Sequence, residues 1–398
     1  MRGLVNLGST CYLNCIIQAL SIIDFKLPEL LFFKHLKLLF IELREKGSPS
    51  SAKDVLQALN CPTSQQDAQE ALIKVIDRLE KDTRELYLWI TRVFLGFAQF
   101  SDKIGILDFT DEALVLELNI TQSKAVKIIN ASPKLIKVYK LNLPVNDFTG
   151  TTISVMTCKN CKISRCNLSK THIFQFNLPE SLNLSLEEMA KQITEQNKAR
   201  IGISLLELFE SFSSQEELES VNCDYCSIKA TISALQSTNN HSTLDKIKSF
   251  PLTASIDEIN SDYPELTDKW QNKSYSHLRR MTLGYLPKLL IIQCMRSQYT
   301  HYGEKKNTSF VSFPFIFDSN IFNPFLFGSC INGMPIKQQS TYNLKSVVEH
   351  QGIHNYGHYI SYKVVDDVWF MVSDDKVVQV TKEQVEMAEA YLLIYEKE

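Results

Sequence analysis

Two sets of cysteines have the surroundings and spacing that chemistry requires. Cys11 stands in Gly3-Leu4-Val5-Asn6-Leu7-Gly8-Ser9-Thr10-Cys11-Tyr12-Leu13-Asn14, between a glycine-bearing loop and a run in which Leu13, Ile16, Ile17 and Leu20 recur at helical spacing. The thiol therefore falls at or just before a helix N-terminus, where unpaired amides and the helix dipole favour thiolate. A nucleophile of lowered pKa is the expected chemistry, against the plainer reading of a buried structural cysteine. The second set is Cys158-Lys159-Asn160-Cys161 with Cys223-Asp224-Tyr225-Cys226, two C-x-x-C pairs that each place two thiolates on one ion from a tight turn. Together they offer the four sulfurs of a tetrahedral structural zinc site joining two hairpins. Cys166 and His172 are weaker substitutes, since neither has a knuckle partner.

The elements that must position these groups divide the chain in two. The first part reads as helical: one helix after Cys11, one around Leu36, Leu39, Phe40 and Leu43, and one around Ala68, Leu72, Val75, Ile76 and Leu79. Ser64, three residues before Asp67, suggests a capping box for the third, and Gly47-Ser48-Pro49-Ser50-Ser51 is a loop signal. From about residue 150 strands dominate, as in His172–Leu178 and Leu289–Ile292. Residues 239–275, rich in Ser, Asn, Asp and Lys with little periodicity, read as a surface insertion. Near the C-terminus, Tyr356–Tyr362 and Val368–Asp375 read as a hairpin closed through Val365-Asp366-Asp367.

The chain has 398 residues, 44% of them hydrophobic, enough for one elaborate catalytic domain without staples. Ten cysteines with no N-terminal signal-like segment point to a reducing, cytoplasmic setting, where paired cysteines bind metal more often than they form disulfides. A net charge of −3 gives no electrostatic reason to expect nucleic acid. No apolar run approaches the roughly 20 residues of a membrane span; Leu27–Phe40 is broken by Pro28, Glu29, Lys34, His35 and Lys37.

The string around Cys11 resembles the Cys box of the ubiquitin-specific proteases, papain-like deubiquitinases, with Ser9 and Cys15 in place of the usual asparagine and serine. Gln65-Gln66-Asp67-Ala68-Gln69-Glu70 is similar to the family's Q-Q-D-A-x-E string, and Gly357-His358-Tyr359 to its G-H-Y box. The resemblance implies Cys11 as nucleophile, Asn6 as oxyanion donor and His358 as general base. It also implies ubiquitin contacts at Gln66, Asp67, Glu70, Gly357 and Tyr359, and a fingers subdomain tipped by the zinc ligands Cys158, Cys161, Cys223 and Cys226.

The group that orients His358 depends on the hairpin register. Asp366-Asp367 as a two-residue turn pairs Val365 with Val368 and puts Ser373 beside His358, with Asp374 facing away; a three-residue loop would set Asp374 opposite His358 instead. The serine in W-x-x-V-S-D-D resembles the family branch anchored in the mitochondrial outer membrane, which uses a Cys-His-Ser triad. On that resemblance Ser373 is the orienter, Asp374 a helper, and intrinsic turnover modest, because serine stabilises imidazolium less than a carboxylate does. In that branch a transmembrane helix precedes the Cys box, so the location expected is cytoplasmic, or the mitochondrial outer membrane where such an anchor exists.

The implied fold is α+β and papain-like: a mainly helical thumb over residues 1–110, fingers over 145–178 and 218–238, and a palm in the remainder. The implied reaction is hydrolysis of isopeptide bonds after ubiquitin's C-terminal glycine, with structural zinc as the only cofactor and ubiquitin and its conjugates as partners. Removal of ubiquitin from mitochondrial surface proteins would oppose mitophagy. A catalytically silent ubiquitin-binding scaffold is the alternative from another class, and a protease for ordinary peptides is a second rival.

Overall fold

The structure is a computed structural model that describes residues 1–23, 31–95, 147–179, 202–237, 241–252, 254–300, 303–325, 340–353 and 356–398. The parts of the expected subdomains at 96–110, 145–146 and 238–240 lie outside these. Four helices come first: α1 (Cys11–Leu20), α2 (Leu31–Arg44), α3 (Lys53–Ala58) and α4 (Ala68–Leu95). Strands β1 (Gly150–Cys158), β2 (Ser164–Thr171), β3 (Phe174–Asn177) and β4 (Ile203–Ser204) follow, then α5 (Leu205–Phe212) and β5 (Gln215–Asn222). Three more helices, α6 (Asp224–Gln236), α7 (His241–Lys248) and α8 (Ile256–Asp262), precede β6 (Ser274–Leu283), β7 (Leu289–Met295), β8 (Ser297–Thr300), β9 (Gly303–Lys306), β10 (Val311–Ser312) and β11 (Ile316–Asp318). The chain closes with β12 (Thr341–Ile353), β13 (Tyr356–Val365), β14 (Val368–Ser373), β15 (Lys376–Val380), α9 (Lys382–Glu386) and β16 (Ala390–Lys397).

The central sheet runs β15-β14-β13-β12-β16-β7-β3, with β11 added along β12. Strands β7 and β16 are apolar at most positions because both faces are covered there. In β7, Leu289 and Ile291 pack on the side of α1 and α4, while Leu290, Ile292 and Cys294 pack on the other side with α5 and the Phe313, Phe317 and Phe322 rings. Leu392 and Ile394 of β16 join the first core, and Leu393 and Tyr395 the second. The period of two thus divides one sheet between two cores.

A second, antiparallel sheet, β2-β1-β6-β5, carries the cysteine pairs at one end. The expected insertion is more ordered than its composition suggests. Within it α7, α8 and the 3-10 turn Pro264–Lys269 bury Ile247, Ile256, Ile259 and Leu266 against Ile228 of α6 in a small core, with Tyr263 and Trp270 against it. Apolar residues spread over three short helices leave too few per helix to show as periodicity, and that is why the sequence read as a surface loop. One cap also differs from expectation. α4 is capped by Asp67, whose Oδ1 accepts from the Gln69 amide at 2.7 Å, and not by Ser64. α1 has no side-chain cap at Thr10.

No helix among the described residues is long and apolar enough to cross a membrane.

Candidate active site

Cys11 opens α1 and is buried, packed against β13. Helix α1 packs on β13, and the Tyr359 amide is near enough to the Cys11 thiol to ease the charge on it, so Cys11 lies beside the residue that follows His358. The expected lowered pKa is not found: burial pushes the thiol up, Asp374 adds repulsion, and the amides of Tyr359, Tyr12 and Cys11 only partly offset them. The amides at the helix terminus do not make up for the loss of water around the sulfur.

Val365 pairs with Val368, which fixes the two-residue turn; Asp366 and Asp367 occupy it with φ of 48° and 61°. That register brings Ser373 to His358, Oγ to Nε2 at 2.8 Å. Asp374, expected as a helper facing away from His358, is bonded to two asparagines. It starts the next turn at φ 51°, and its Oδ2 and Oδ1 accept from Asn6 Nδ2 and Asn14 Nδ2, each at 2.8 Å. Its carbonyl takes the Leu4 amide at 2.8 Å. The cause is the turn between Ser373 and Lys376, whose left-handed backbone at Asp374 leaves the strand direction. Asn6 is held from both ends, because its Oδ1 also accepts the amides of Gly8 at 3.2 Å and Thr10 at 3.0 Å. One Nδ2 proton of Asn6 remains for another acceptor.

A cleft of about 290 Å³ adjoins this centre, lined by Gln65, Gln66, Asp67, Arg296, Ser297, Lys306, His350, Tyr359 and Tyr391. Asp67 ties its walls together: Tyr359 donates to Oδ2 at 3.0 Å, and Tyr391 lies 2.8 Å from both carboxylate oxygens. Burial and the Asp67 charge push both phenols up, so they remain donors. Gln65 Nε2 donates to the Gly357 carbonyl at 3.1 Å, bridging the start of α4 to β13. Gly357 has no room for a side chain, since a Cβ there would lie 2.3 Å from both the Gln351 carbonyl and His350 Nε2. Of the expected ubiquitin contacts, Gln66, Asp67 and Tyr359 line the cleft and Gly357 adjoins it, but Glu70 is exposed on the first turn of α4 and is not among its lining residues. Gln65, His350, Arg296 and Tyr391 were not picked out from the sequence; only Gln65, inside the quoted Q-Q-D-A string, carried a signal.

Cys158, Cys161, Cys223 and Cys226 gather with all four sulfurs within 4.8 Å of one another, and Cys161 and Cys223 are 3.7 Å apart. A tetrahedron with metal–sulfur bonds of about 2.3 Å has sulfurs about 3.8 Å apart, so the cluster could hold zinc. Burial opposes a charge on Cys158, but the amides of Cys161 and Asn160 together with the Cys223 and Cys161 thiols pull it below its ordinary value. Only the first pair sits in a hairpin turn, between β1 and β2; Cys223 precedes α6 and Cys226 lies in its first turn, which corrects the expectation of two hairpins. Cys166 is exposed on β2, outside the cluster, and His172 instead meets Glu80 of α4 at 3.0 Å.

A family model described as Ubiquitin carboxyl-terminal hydrolase matches residues 2–395. The chain belongs to that family. Ubiquitin carboxyl-terminal hydrolase 27 of Arabidopsis thaliana is 27% identical over 452 residues, spanning 99% of this chain and 85% of the relative. Ubiquitin carboxyl-terminal hydrolase 11 of Schizosaccharomyces pombe is 23% identical over 418 residues, spanning 100% and 85%. The solved structure of the SAGA Ubp8/Sgf11/Sus1/Sgf73 DUB module bound to ubiquitin aldehyde is similar with a TM-score of 0.58 at 18% identity, covering 100% of this chain and 70% of that one. At that identity the likeness bears on the mixed α+β fold. This member of the ubiquitin carboxyl-terminal hydrolases is a cysteine-type deubiquitinase.

Proposed function

We propose that Cys11, His358 and Ser373 carry the hydrolysis, with Asn6 binding the oxyanion and Asp374 holding Asn6. The observation behind this assignment is the 2.8 Å contact from His358 Nε2 to Ser373 Oγ, one residue away from the amide that meets the Cys11 thiol. With Nε2 bonded to serine, Nδ1 is the nitrogen left to take the thiol proton. The Cys11 sulfur attacks the carbonyl carbon of ubiquitin's last glycine, and the free Nδ2 proton of Asn6 stabilises the charge that forms on oxygen, an effect of about 3–4 kcal/mol. His358 returns the proton to the leaving lysine amine. Water, activated by the same imidazole, then cleaves the thioester. The resting thiol is protonated, so proton transfer accompanies attack.

In this reading α1–α4 are the thumb, the central sheet the palm, and the β2-β1-β6-β5 sheet the fingers. The cleft bounded by Gln66, Asp67, Gly357 and Tyr359 admits ubiquitin's slender C-terminal tail, while Glu70 reaches ubiquitin from the exposed face of α4. Cys158, Cys161, Cys223 and Cys226 hold a structural zinc that ties α6 to the β1–β2 turn. The serine at 373, bonded to His358, favours the branch at the mitochondrial outer membrane; its role there is to strip ubiquitin from surface proteins and oppose mitophagy. Fractionation of cells expressing the full-length protein tests that placement, and a purely cytosolic pool would remove it.

A ubiquitin probe with a C-terminal electrophile tests the catalytic assignment. One covalent adduct is expected on Cys11, none in Cys11→Ala, and slower labelling in Asn6→Ala. An adduct that persists in Cys11→Ala overturns it.

A further inference from the structure

Lys363 is buried to 1% exposure on β13, the strand that carries His358. Its Nζ donates to Gln18 Oε1 and to Ser21 Oγ, at 2.5 and 3.0 Å, both at the far end of α1 from Cys11. Gln18 in turn donates to the Arg2 carbonyl at 3.1 Å, and Ser21 Oγ to the Gln18 carbonyl at 2.7 Å. On the neighbouring strand β12, Ser346, the cross-strand partner of Lys363, donates to the Ala19 carbonyl at 3.2 Å.

The distances match along the two elements. From His358 to Lys363 a strand advances about 17 Å. From Cys11 to Ser21 a helix advances about 15 Å. Helix and strand therefore run side by side, joined at one end where the Tyr359 amide meets the Cys11 thiol and at the other where Lys363 meets Gln18 and Ser21.

The charge of this ammonium, as distinct from its two hydrogen bonds, is opposed by its surroundings. The charged groups that act on it or are acted on by it are cations: Arg44 of α2, itself bonded to the Ser21 and Ile23 carbonyls, and the Met1 amino group. Burial, with Arg44 adding to it, pulls Lys363 down to about 7. A methionine of similar volume would fill the space without desolvating a charge. What methionine lacks is the donor set that fixes Gln18 and Ser21.

We propose that Lys363 is a positioning residue for the deubiquitinase reaction, the distal pin that sets α1 against β13 and so places Cys11 relative to His358. The proposal rests on Cys11 and His358 acting as the catalytic pair. The pin does not depend on the charge, because a neutral amine still donates to both acceptors.

Lys363→Met is assayed on a fluorogenic ubiquitin C-terminal substrate, with melting temperature followed in parallel. The expected result is a fold at least as heat-stable as the wild type at pH 7, kcat lower by tenfold or more, and KM within threefold, since misplacement by about 1 Å costs on the order of a hundredfold in rate. A folded Lys363→Met with kcat within twofold of wild type overturns the proposal. Where that variant does not fold, Gln18→Leu combined with Ser21→Ala removes the same bonds from the helix side and is judged by the same split. Cys11→Ala is run alongside: activity surviving there defeats the catalytic assignment itself, whatever Lys363 does.

Discussion

Asn6 and Asp374, 368 positions apart, are joined by a 2.8 Å hydrogen bond, and Asp374 takes a second from Asn14 at the same distance. The carboxylate thus clamps the loop before Cys11 to the helix after it. In Asp374→Ala both amides lose their acceptor, a loss of about 1–3 kcal/mol in stability. The released Asn6 should lower kcat roughly a hundredfold. Urea unfolding and steady-state kinetics measure the two effects separately; an unchanged kcat would show that Asn6 keeps its place without help.

Ser373→Ala removes the partner of His358 Nε2 without disturbing that clamp. Activity should fall roughly ten- to a hundredfold. Ser373→Asp should recover it, and the imidazole-dependent limb of the pH–rate profile should move to higher pH, because a carboxylate stabilises imidazolium where a hydroxyl does so weakly. Asp374→Ala should leave that limb where it is. If Asp374→Ala shifted it and Ser373→Ala did not, the two roles would be exchanged.

Metal content separates the four-sulfur cluster from a set of merely neighbouring thiols. One zinc per chain is expected by elemental analysis, and none in Cys223→Ser. Cys226 lies in the first turn of α6, and Ser227 and Thr231 of that helix accept the Lys273 and Gln271 amides. Chelation should therefore speed hydrogen exchange across 224–236 while leaving β13 and β14 protected. Uniform loss of protection would mean that the cluster supports the whole domain.

Stability and pH should be linked through Lys363. Its folded value of about 7 lies below the 10.5 of a free lysine. The unfolded chain therefore binds more protons between those values, and stability must rise with pH across that window. Relative to Lys363→Met, the wild type should gain at most roughly 5 kcal/mol from pH 7 to 10.5. Chemical denaturation of both proteins at several pH values gives the difference, and a flat difference would mean that Lys363 titrates as though exposed.

Much of the centre was legible because its groups sit in short, dense strings: Cys11 with Asn6, the two cysteine pairs, and the hairpin whose two-residue turn decides between Ser373 and Asp374. The helix after Cys11 and the apolar strand at Leu289–Ile292 were equally plain, the helix because one core sets its periodicity and the strand because cores on both faces leave it apolar throughout. What stayed hidden depends on distant partners. The raised Cys11 thiol follows from burial under β13, the Asp374 clamp from Asn6 and Asn14, and the role of Tyr391 from its contact with Asp67. The α6–α8 core is spread too thinly over short helices to announce itself.

The central sheet is oily on both sides, and this restricts how the histidine hairpin can err. Sliding β13 by one residue would turn Tyr359 out of one core and Ile360 out of the other, so the pairing is fixed by the bulk of the molecule rather than by bonds near the imidazole. A backbone held from so far away leaves position 373, the proposed third member of the triad, a place where a change of side chain would retune chemistry without altering the hairpin register.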